Sequence, residues 1–505
     1  MSFWNLFNKK QHSNKSIGEA VSTKKPDIHR ELEANLNDIR QKLGDSSDLI
    51  IRQLECGSSR TAAAAVYMNG LIDNEILDDF VTRSKEFEVS SHTEQTIKNS
   101  EELRLSILSG NTIILIDGWA EALCGNTRGG QVRQVTEPST QVVIRGPKES
   151  FTETIGTNVA LIRRKIKNEN LWVDTVQIGK ATQTDVSIMY IKGITNDKIV
   201  QEIKKRLNNI HTDSILESGY IEQFIEDSNF SLFPTLYNTE RPDIVAGNLL
   251  EGRVAILVDG TPFVLIAPVS FFMYFQSVED YYQRFIVSSM IRILRYIALL
   301  ISLFGPSVYI ASITFHQEMI PTQLLISLAA QREGVPFPAL IEALIMEFTF
   351  EILREAGVRM PRAIGQAVSI VGALVLGQAA VQAGIVSPAM VIVVSITGIS
   401  SFTTPAFSMA LSVRAIRFLI MLSAAVMGFY GIAILSIILI AQMCGLRSFG
   451  IPYMTPLAPF ILEDQKDTLI RFPMKFLFSR PRLISQKNSM RMNEDEQQGG
   501  NANEG

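Results

Sequence analysis

The chain has 505 residues, 46% apolar and 19% charged, with a formal net charge of −4. Residues 1–290 hold 31 Lys+Arg against 38 Asp+Glu, and residues 291–505 hold 16 against 13, so the two parts carry −7 and +3. Uncharged runs of 22, 51 and 29 residues follow Arg295, Arg362 and Arg417. About 20 apolar residues cross a hydrocarbon core, which excludes a soluble enzyme, and the missing domain-wide basic excess excludes a nucleic-acid binder.

The Lys-, Ser- and Asn-rich residues 1–26 predict a flexible arm, and the start lacks the apolar core of a secretory signal. A helix is expected from Pro26 to Leu43, because Leu32, Leu36, Ile39 and Leu43 share one face. Beyond it the chain repeats itself. Ala65–Leu77 matches Ile188–Val200, with Tyr67, Gly70 and Asn74 opposite Tyr190, Gly193 and Asp197. Both copies read strand, glycine turn, polar cap, helix. Each is followed by an apolar strand ending in Asp-Gly, at Asp117-Gly118 and Asp259-Gly260, which signals a hairpin.

The expected fold class is α+β joined to membrane: an N-terminal domain of two similar α/β subdomains, then a polytopic α-helical membrane domain. The divisions are an arm and leading helix (1–44), a first subdomain (45–145), a linker and second subdomain (146–268), a membrane domain (269–445) and a tail (446–505) disordered at its end. In the linker, Arg163, Arg164 and Lys165 have two readings, a contact with acidic lipid or a partner, and a solvated helix face.

Four spans are expected, at about 296–315, 366–383, 386–404 and 415–443, the middle two joined as a tight hairpin. Gly365, Gly372 and Gly377 recur at helical spacing with Ser369, Ala373 and Ala380 on the second span. Small residues let helices approach closely in lipid, so this span belongs inside a bundle or an oligomer. The segment 317–362 reads as re-entrant or interfacial, since Gly334-Val335-Pro336-Phe337-Pro338 interrupts it. Within it Glu347, Glu351 and Glu355 share a face. Either Arg354 pairs with these acids, or they border a water-filled vestibule. Arg292 and Arg295 before the first span favour a cytoplasmic N-terminal side. An even number of spans returns the tail, with eight Lys+Arg from Arg447 onward, to that side. Cys56, Cys124 and Cys444 form no CxxC, as expected in a reducing interior.

Catalytic signatures are missing. No GxxxxGK[ST], HExxH or GxSxG occurs, the five histidines are scattered, and Gly125–Gly130 reads as a loop. No enzyme activity, cofactor or metal is expected.

Several long motifs together resemble the GerA family of spore germinant receptor A subunits. They are Arg145-Gly146-Pro147-Lys148-Glu149, Leu161–Ile166, Glu240-Arg241-Pro242-Asp243, Gly252-Arg253-Val254 and Asp259-Gly260-Thr261-Pro262. The membrane half adds Arg332–Pro338, Glu347, Arg354–Arg362 and Ile364–Gly372. The resemblance spans roughly 45–465. It implies a multi-pass protein of the spore inner membrane, with its N-terminal domain and tail on the core side. It further implies a transporter-like B subunit that holds the nutrient, a C lipoprotein, and a homo-oligomeric ring, a pentamer, around a gated path for monovalent cations. A branch related to the stage V sporulation protein AF shares the architecture without direct nutrient sensing, and these motifs do not separate the two. A secondary transporter is a further alternative, although it calls for inverted repeats among the spans. In a channel the span 366–383 is the expected pore helix. Ser369, Ala373, Leu376 and Ala380 would face the path, with an apolar gate at Leu376, and Glu347 and Glu351 would form a cation-attracting mouth. No residue is assigned to nutrient binding.

Overall fold

The structure, a computed structural model, describes residues 28–57, 60–85, 94–129, 137–138, 140–360 and 377–492. The N-terminal half is built on two five-stranded antiparallel sheets. The first comprises β1 (Leu49–Cys56), β2 (Thr61–Met68), β3 (Glu94–Ile97), β4 (Thr112–Ile116) and β5 (Ala122–Gly125), in the order β1-β2-β4-β5-β3. The second comprises β6 (Leu171–Ile178), β7 (Thr184–Ile191), β8 (Tyr237–Thr239), β9 (Val254–Val258) and β10 (Val264–Ala267), in the order β6-β7-β9-β10-β8. The two orders are the same.

The helices repeat as well. In the first unit α1 (Leu32–Leu43) precedes the sheet, α2 (Asn74–Lys85) follows β2, and α3 (Ser100–Leu108) precedes β4. In the second, α4 (Ile155–Lys165), α5 (Asp197–Asn208) and α7 (Pro242–Leu250) take those places, with α6 (Ser218–Ile225) added before β8. Asp73 and Asn196, equivalent in the repeat, share the same cap chemistry. Asp73 Oδ1 accepts the Glu75 N–H at 3.0 Å, and Asn196 Oδ1 accepts the Lys198 N–H at 3.0 Å, each satisfying a donor the helix leaves free.

The Asp-Gly pairs do more than turn the chain. Gly118 and Gly260 both adopt φ 85°, a left-handed conformation that glycine adopts without steric cost. Asp117 Oδ1 then accepts the Leu32 N–H at 3.0 Å and Asp259 Oδ1 the Ile155 N–H at 3.0 Å. Each hairpin therefore caps the leading helix of its own unit. A second repeated lock lies nearby: the Asn35 amide bonds both backbone groups of His29, and the Asn158 amide does the same to Thr152. Leu32, Leu36, Ile39 and Leu43 of α1 are buried in one core with Val66, Met68 and Ile113. The leading helix thus packs on the first sheet.

α4 joins the two units. Arg163 is wholly buried and its Nη2 donates to Asp48 Oδ1 at 2.8 Å. Arg164 Nη2 donates to the Gly129 carbonyl at 2.8 Å, and Lys165 Nζ lies 3.1 Å from Glu149. Neither sequence reading holds for Arg163, because the side chain meets neither lipid nor solvent.

The second half begins with α8 (Glu279–Tyr282) and α9 (Phe285–Thr314), followed by α10 (Thr322–Arg332) and α11 (Ala339–Arg359). Residues 377–382 are helical, and Pro388–Ser401 and Phe407–Gly445 form α12 and α13. Among the described residues, α9 and α13 are long and apolar enough to cross a membrane. α12, with 14 residues, rises about 21 Å, less than a hydrocarbon core of about 30 Å. α13 is interrupted at Gly428 (φ 60°, ψ −138°), and a Cβ there would lie 2.7 Å from the His316 ring. The segment expected as re-entrant or interfacial contains α10 and α11. Most of the span expected at 366–383 lies outside the described residues.

After α13, two-residue strands β11 (Arg447–Ser448) and β12 (Ile451–Pro452) pair, and the tail runs back over the second unit. Ser448 Oγ donates to the Thr235 carbonyl at 2.7 Å, and Ser485 Oγ to that of Ile194 at 2.9 Å. Asp48→Asn should destabilise the protein by about 3–5 kcal/mol, because it leaves the buried Arg163 charge unmatched. Denaturant midpoints of the purified full chain measure this; an unchanged midpoint contradicts the role given to the pair.

Candidate functional site

Charge has to be matched where α11 meets α13. Glu347 and Glu351 are one turn apart on α11, and Arg414 and Arg417 are three residues apart on α13, so two acids on one helix oppose two bases on the other. Arg417 Nη2 lies 3.0 Å from Glu347 Oε2, with both side chains wholly buried, and 3.6 Å from Glu351 Oε1. Glu351 also approaches Arg354 at 2.6 Å and Arg414 at 3.5 Å. Two carboxylates thus face three guanidinium groups. Within one chain both acids meet arginines, Glu347 wholly buried and Glu351 partly exposed. Pairing by Arg354 is part of the arrangement, and Arg417 is its centre.

This cluster is attractive without being well hydrogen-bonded. Among the described residues, Nε, Nη1 and Nη2 of Arg417 and both oxygens of Glu347 find no hydrogen-bond partner. A partly satisfied polar network in a low dielectric is held by charge attraction, and each member is costly to strand.

Of the other two acids of α11, Glu355 pairs with Arg359 on the exposed side at 2.6 Å and Glu342 behaves differently. Glu342, wholly buried, lies 3.2 Å from Arg332 of α10 and accepts the Ser387 N–H at 3.0 Å. Ser387 is the residue before α12. The carboxylate therefore sits at the positive end of that helix dipole.

A second charged junction lies at the base of α9. Arg292 pairs with Asp280 at 3.0 Å and with Asp467 at 2.8 Å, and Arg295 pairs with Asp280 at 2.9 Å. Arg471 Nη1 donates to the Asp280 carbonyl at 2.5 Å, and Tyr281 Oη to Asp467 at 2.6 Å. Burial pushes the Asp467 carboxyl above its ordinary range, against the opposing pull of Arg292. Arg292 and Arg295 are thus committed inside the protein, which removes them from the headgroup role that an orientation argument assigns them.

The motifs Arg145–Glu149 and Glu240–Asp243 dock on each other. Arg241, wholly buried, pairs with Asp243 at 2.7 Å and donates to the carbonyls of Pro147 and Gln141 at 2.9 and 3.1 Å. Glu240 Oε1 accepts from Thr140 and Gln141. Tyr282 Oη donates to Asp243 at 2.7 Å, which connects this clamp to α8.

Of the expected pore and packing residues, Gly365, Ser369, Gly372, Ala373 and Leu376 lie outside the described residues. Ala380 and Gly377 are half-buried, and a Cβ on Gly377 would meet only Val391 Cγ1, at 3.9 Å. Nothing inside the described chain therefore demands glycine at 377. Sequence reading missed Asp280, Asp467 and Arg471. Their signal is faint, since the partners are 12 to 191 residues apart. The matched spacing of Glu347/Glu351 with Arg414/Arg417 was the better clue.

Glu347→Gln should cost about 3–5 kcal/mol by stranding Arg417. Replacing both as Glu347→Leu with Arg417→Met should cost much less than the two single changes together. Thermal unfolding of the four proteins in one detergent gives the coupling, and strictly additive losses refute the pairing.

The family model described as Bacillus/Clostridium GerA spore germination protein matches residues 37–483. Spore germination protein KA of Bacillus subtilis is 53% identical, over 93% of this chain and 89% of its own length. The uncharacterized membrane protein YfkQ of the same organism is 43% identical, over 96% and 97%. Among solved structures, the N-terminal domain of the A subunit of the Bacillus megaterium spore germinant receptor GerK3 is 43% identical, with a TM-score of 0.40, covering 49% of this chain and 99% of that one. With a match of this length and relatives this similar, the chain belongs to the GerA family of spore germination proteins.

Proposed function

We propose that this protein is the A subunit of a nutrient germinant receptor in the spore inner membrane. It is not an enzyme in this reading. It assembles as a homo-oligomeric ring, a pentamer, beside a transporter-like B subunit and a C lipoprotein, and it contributes a gated path for monovalent cations whose opening starts germination. The similarity to protein KA over nearly the whole chain carries the proposal. The contacts of the tail with the second sheet unit support a shared side of the membrane for tail and soluble domain. The apolar lengths of α9 and α13 support insertion.

The internal duplication lies in the soluble half, which favours a channel subunit over a transporter with inverted membrane repeats. In this proposal the helix around 366–383 lines the path, with Ser369, Ala373, Leu376 and Ala380 facing it. Glu347 and Glu351 act as the charged hub that fixes α11 to α13 beside the mouth. Gly365, Gly372 and Gly377 give the close approach to neighbouring helices.

Potassium flux into proteoliposomes holding the chain, with and without its B and C partners, tests the reading. Flux that depends on germinant and partners is expected, and its complete absence in the full complex overturns the channel role. Leu376→Ala should widen the gate and give spores that leak cations without nutrient, measured as potassium release; release equal to that of unmodified spores removes Leu376 from the gate. Gly372→Leu should abolish the oligomer or germination at a packing cost of about 1–3 kcal/mol while membrane insertion persists. Normal oligomer size and normal germination in that variant overturn the placement.

A further inference from the structure

The tail after α13 keeps large apolar side chains out of the core. Phe460, Leu462, Ile470, Phe472, Met474 and Phe476 are each between 43% and 66% exposed. Water is a poor solvent for such a surface, and an apolar patch of this kind marks a binding face.

The height of the segment is set by its bonds to α9. Ser289 Oγ donates to the Arg471 carbonyl at 2.9 Å, and Tyr296 Oη to the Thr468 carbonyl at 3.3 Å. From residue 297 to the end of α9 at Thr314 the helix rises about 27 Å, nearly a full hydrocarbon core. The Thr468 contact therefore lies at the near end of that length, and the Arg471 contact, at Ser289, about 12 Å from that end toward the soluble domain. The helix to which the segment is bonded is itself apolar and exposed on its outer face, with Met290 and Leu294 at 67% and 59% exposure. Lys475 is exposed between Met474 and Phe476, and aromatic and cationic side chains side by side suit the headgroup zone of an anionic membrane.

We propose that residues 457–476 form an interfacial collar that lies against phospholipid on the side of the soluble domain, dipping these apolar side chains into the acyl boundary while Lys475 meets anionic headgroups. The inference rests on the reading that α9 and α13 cross the membrane. Its occupant is lipid rather than a second copy of the chain, because the segment is bonded to the start of α9, whose exposed face is itself apolar. The collar would tie the start of α9 to the bilayer through Arg471, whose guanidinium also holds the Asp280 and Gln283 carbonyls.

The test uses the full chain in vesicles of phosphatidylglycerol and phosphatidylethanolamine, with and without bromine on the acyl chains near the headgroup. Phe472→Trp and Phe476→Trp report on the collar, and Ile437→Trp, on an exposed position of α13, reports on the membrane crossing itself. Each added emission is read as the difference from the parent protein. Loss of the added emission in brominated vesicles at 472 and 476 is the expected result, and that loss should weaken when phosphatidylglycerol is omitted. Loss at 437 alone overturns the collar. In that case a red-shifted, unquenched tryptophan at 472 means water, and a blue-shifted one that reddens on dilution of protein in lipid means a second copy. No loss at any of the three positions overturns the membrane reading together with the collar.

Discussion

A guanidinium taken out of water has to find a carboxylate or a set of carbonyls, and among the described residues four arginines are less than 2% exposed. Each stands where two distant pieces meet. Arg163 joins the two sheet units through Asp48. Arg241 holds the linker through Pro147 and Gln141. Arg292 gathers α8, α9 and the tail through Asp280 and Asp467. Arg417 fastens α11 to α13. The apolar cores stabilise the units, since burial of apolar surface is the main favourable term in folding, but it is non-directional. The buried ion pairs fix which piece sits against which.

Two of these joints, those of Arg241 and Arg292, are connected in series. Asp243 accepts from both Arg241 and Tyr282, and Tyr282 ends α8, which also carries the Asp280 that pairs with Arg292 and Arg295. The linker between the sheet units is thereby attached by hydrogen bonds and ion pairs to the base of α9. An aromatic layer packs beside this route, with Tyr274 close to Tyr237 and Tyr453, and Phe275 close to Tyr296. Soluble domain, tail and first membrane helix consequently form one packed joint rather than parts on a flexible tether.

The duplication shows how one local plan can serve two surroundings. Both units use an Asp-Gly hairpin to cap the leading helix and an Asn amide to lock the residues before it. They differ in what covers them. α1 packs on its own sheet with an exposed Arg40, whereas α4 places Arg163 at the contact with the other unit. α6 is an addition of the second unit among the described residues, and Phe449 of the tail bonds Asp227 just beyond it. The second unit thus became the one that faces the tail and the membrane joint.

Local pattern made much of this legible in the amino-acid sequence. The strand–glycine–cap–helix repeat, the two Asp-Gly hairpins and the leucine face of α1 are set by residues within a dozen positions of one another. The apolar lengths of α9 and α13, and the family motifs, were readable for the same reason. The partners of the buried charges were not. For Glu347 and Glu351 the sequence offered Arg354 or a water-filled vestibule, because their central partner, Arg417, comes about 70 residues later, and Arg292 looked like a surface charge because Asp467 lies 175 residues away. Periodicity reports which residues share a face, but only the packed structure brings two faces together, and a buried charge is matched only there.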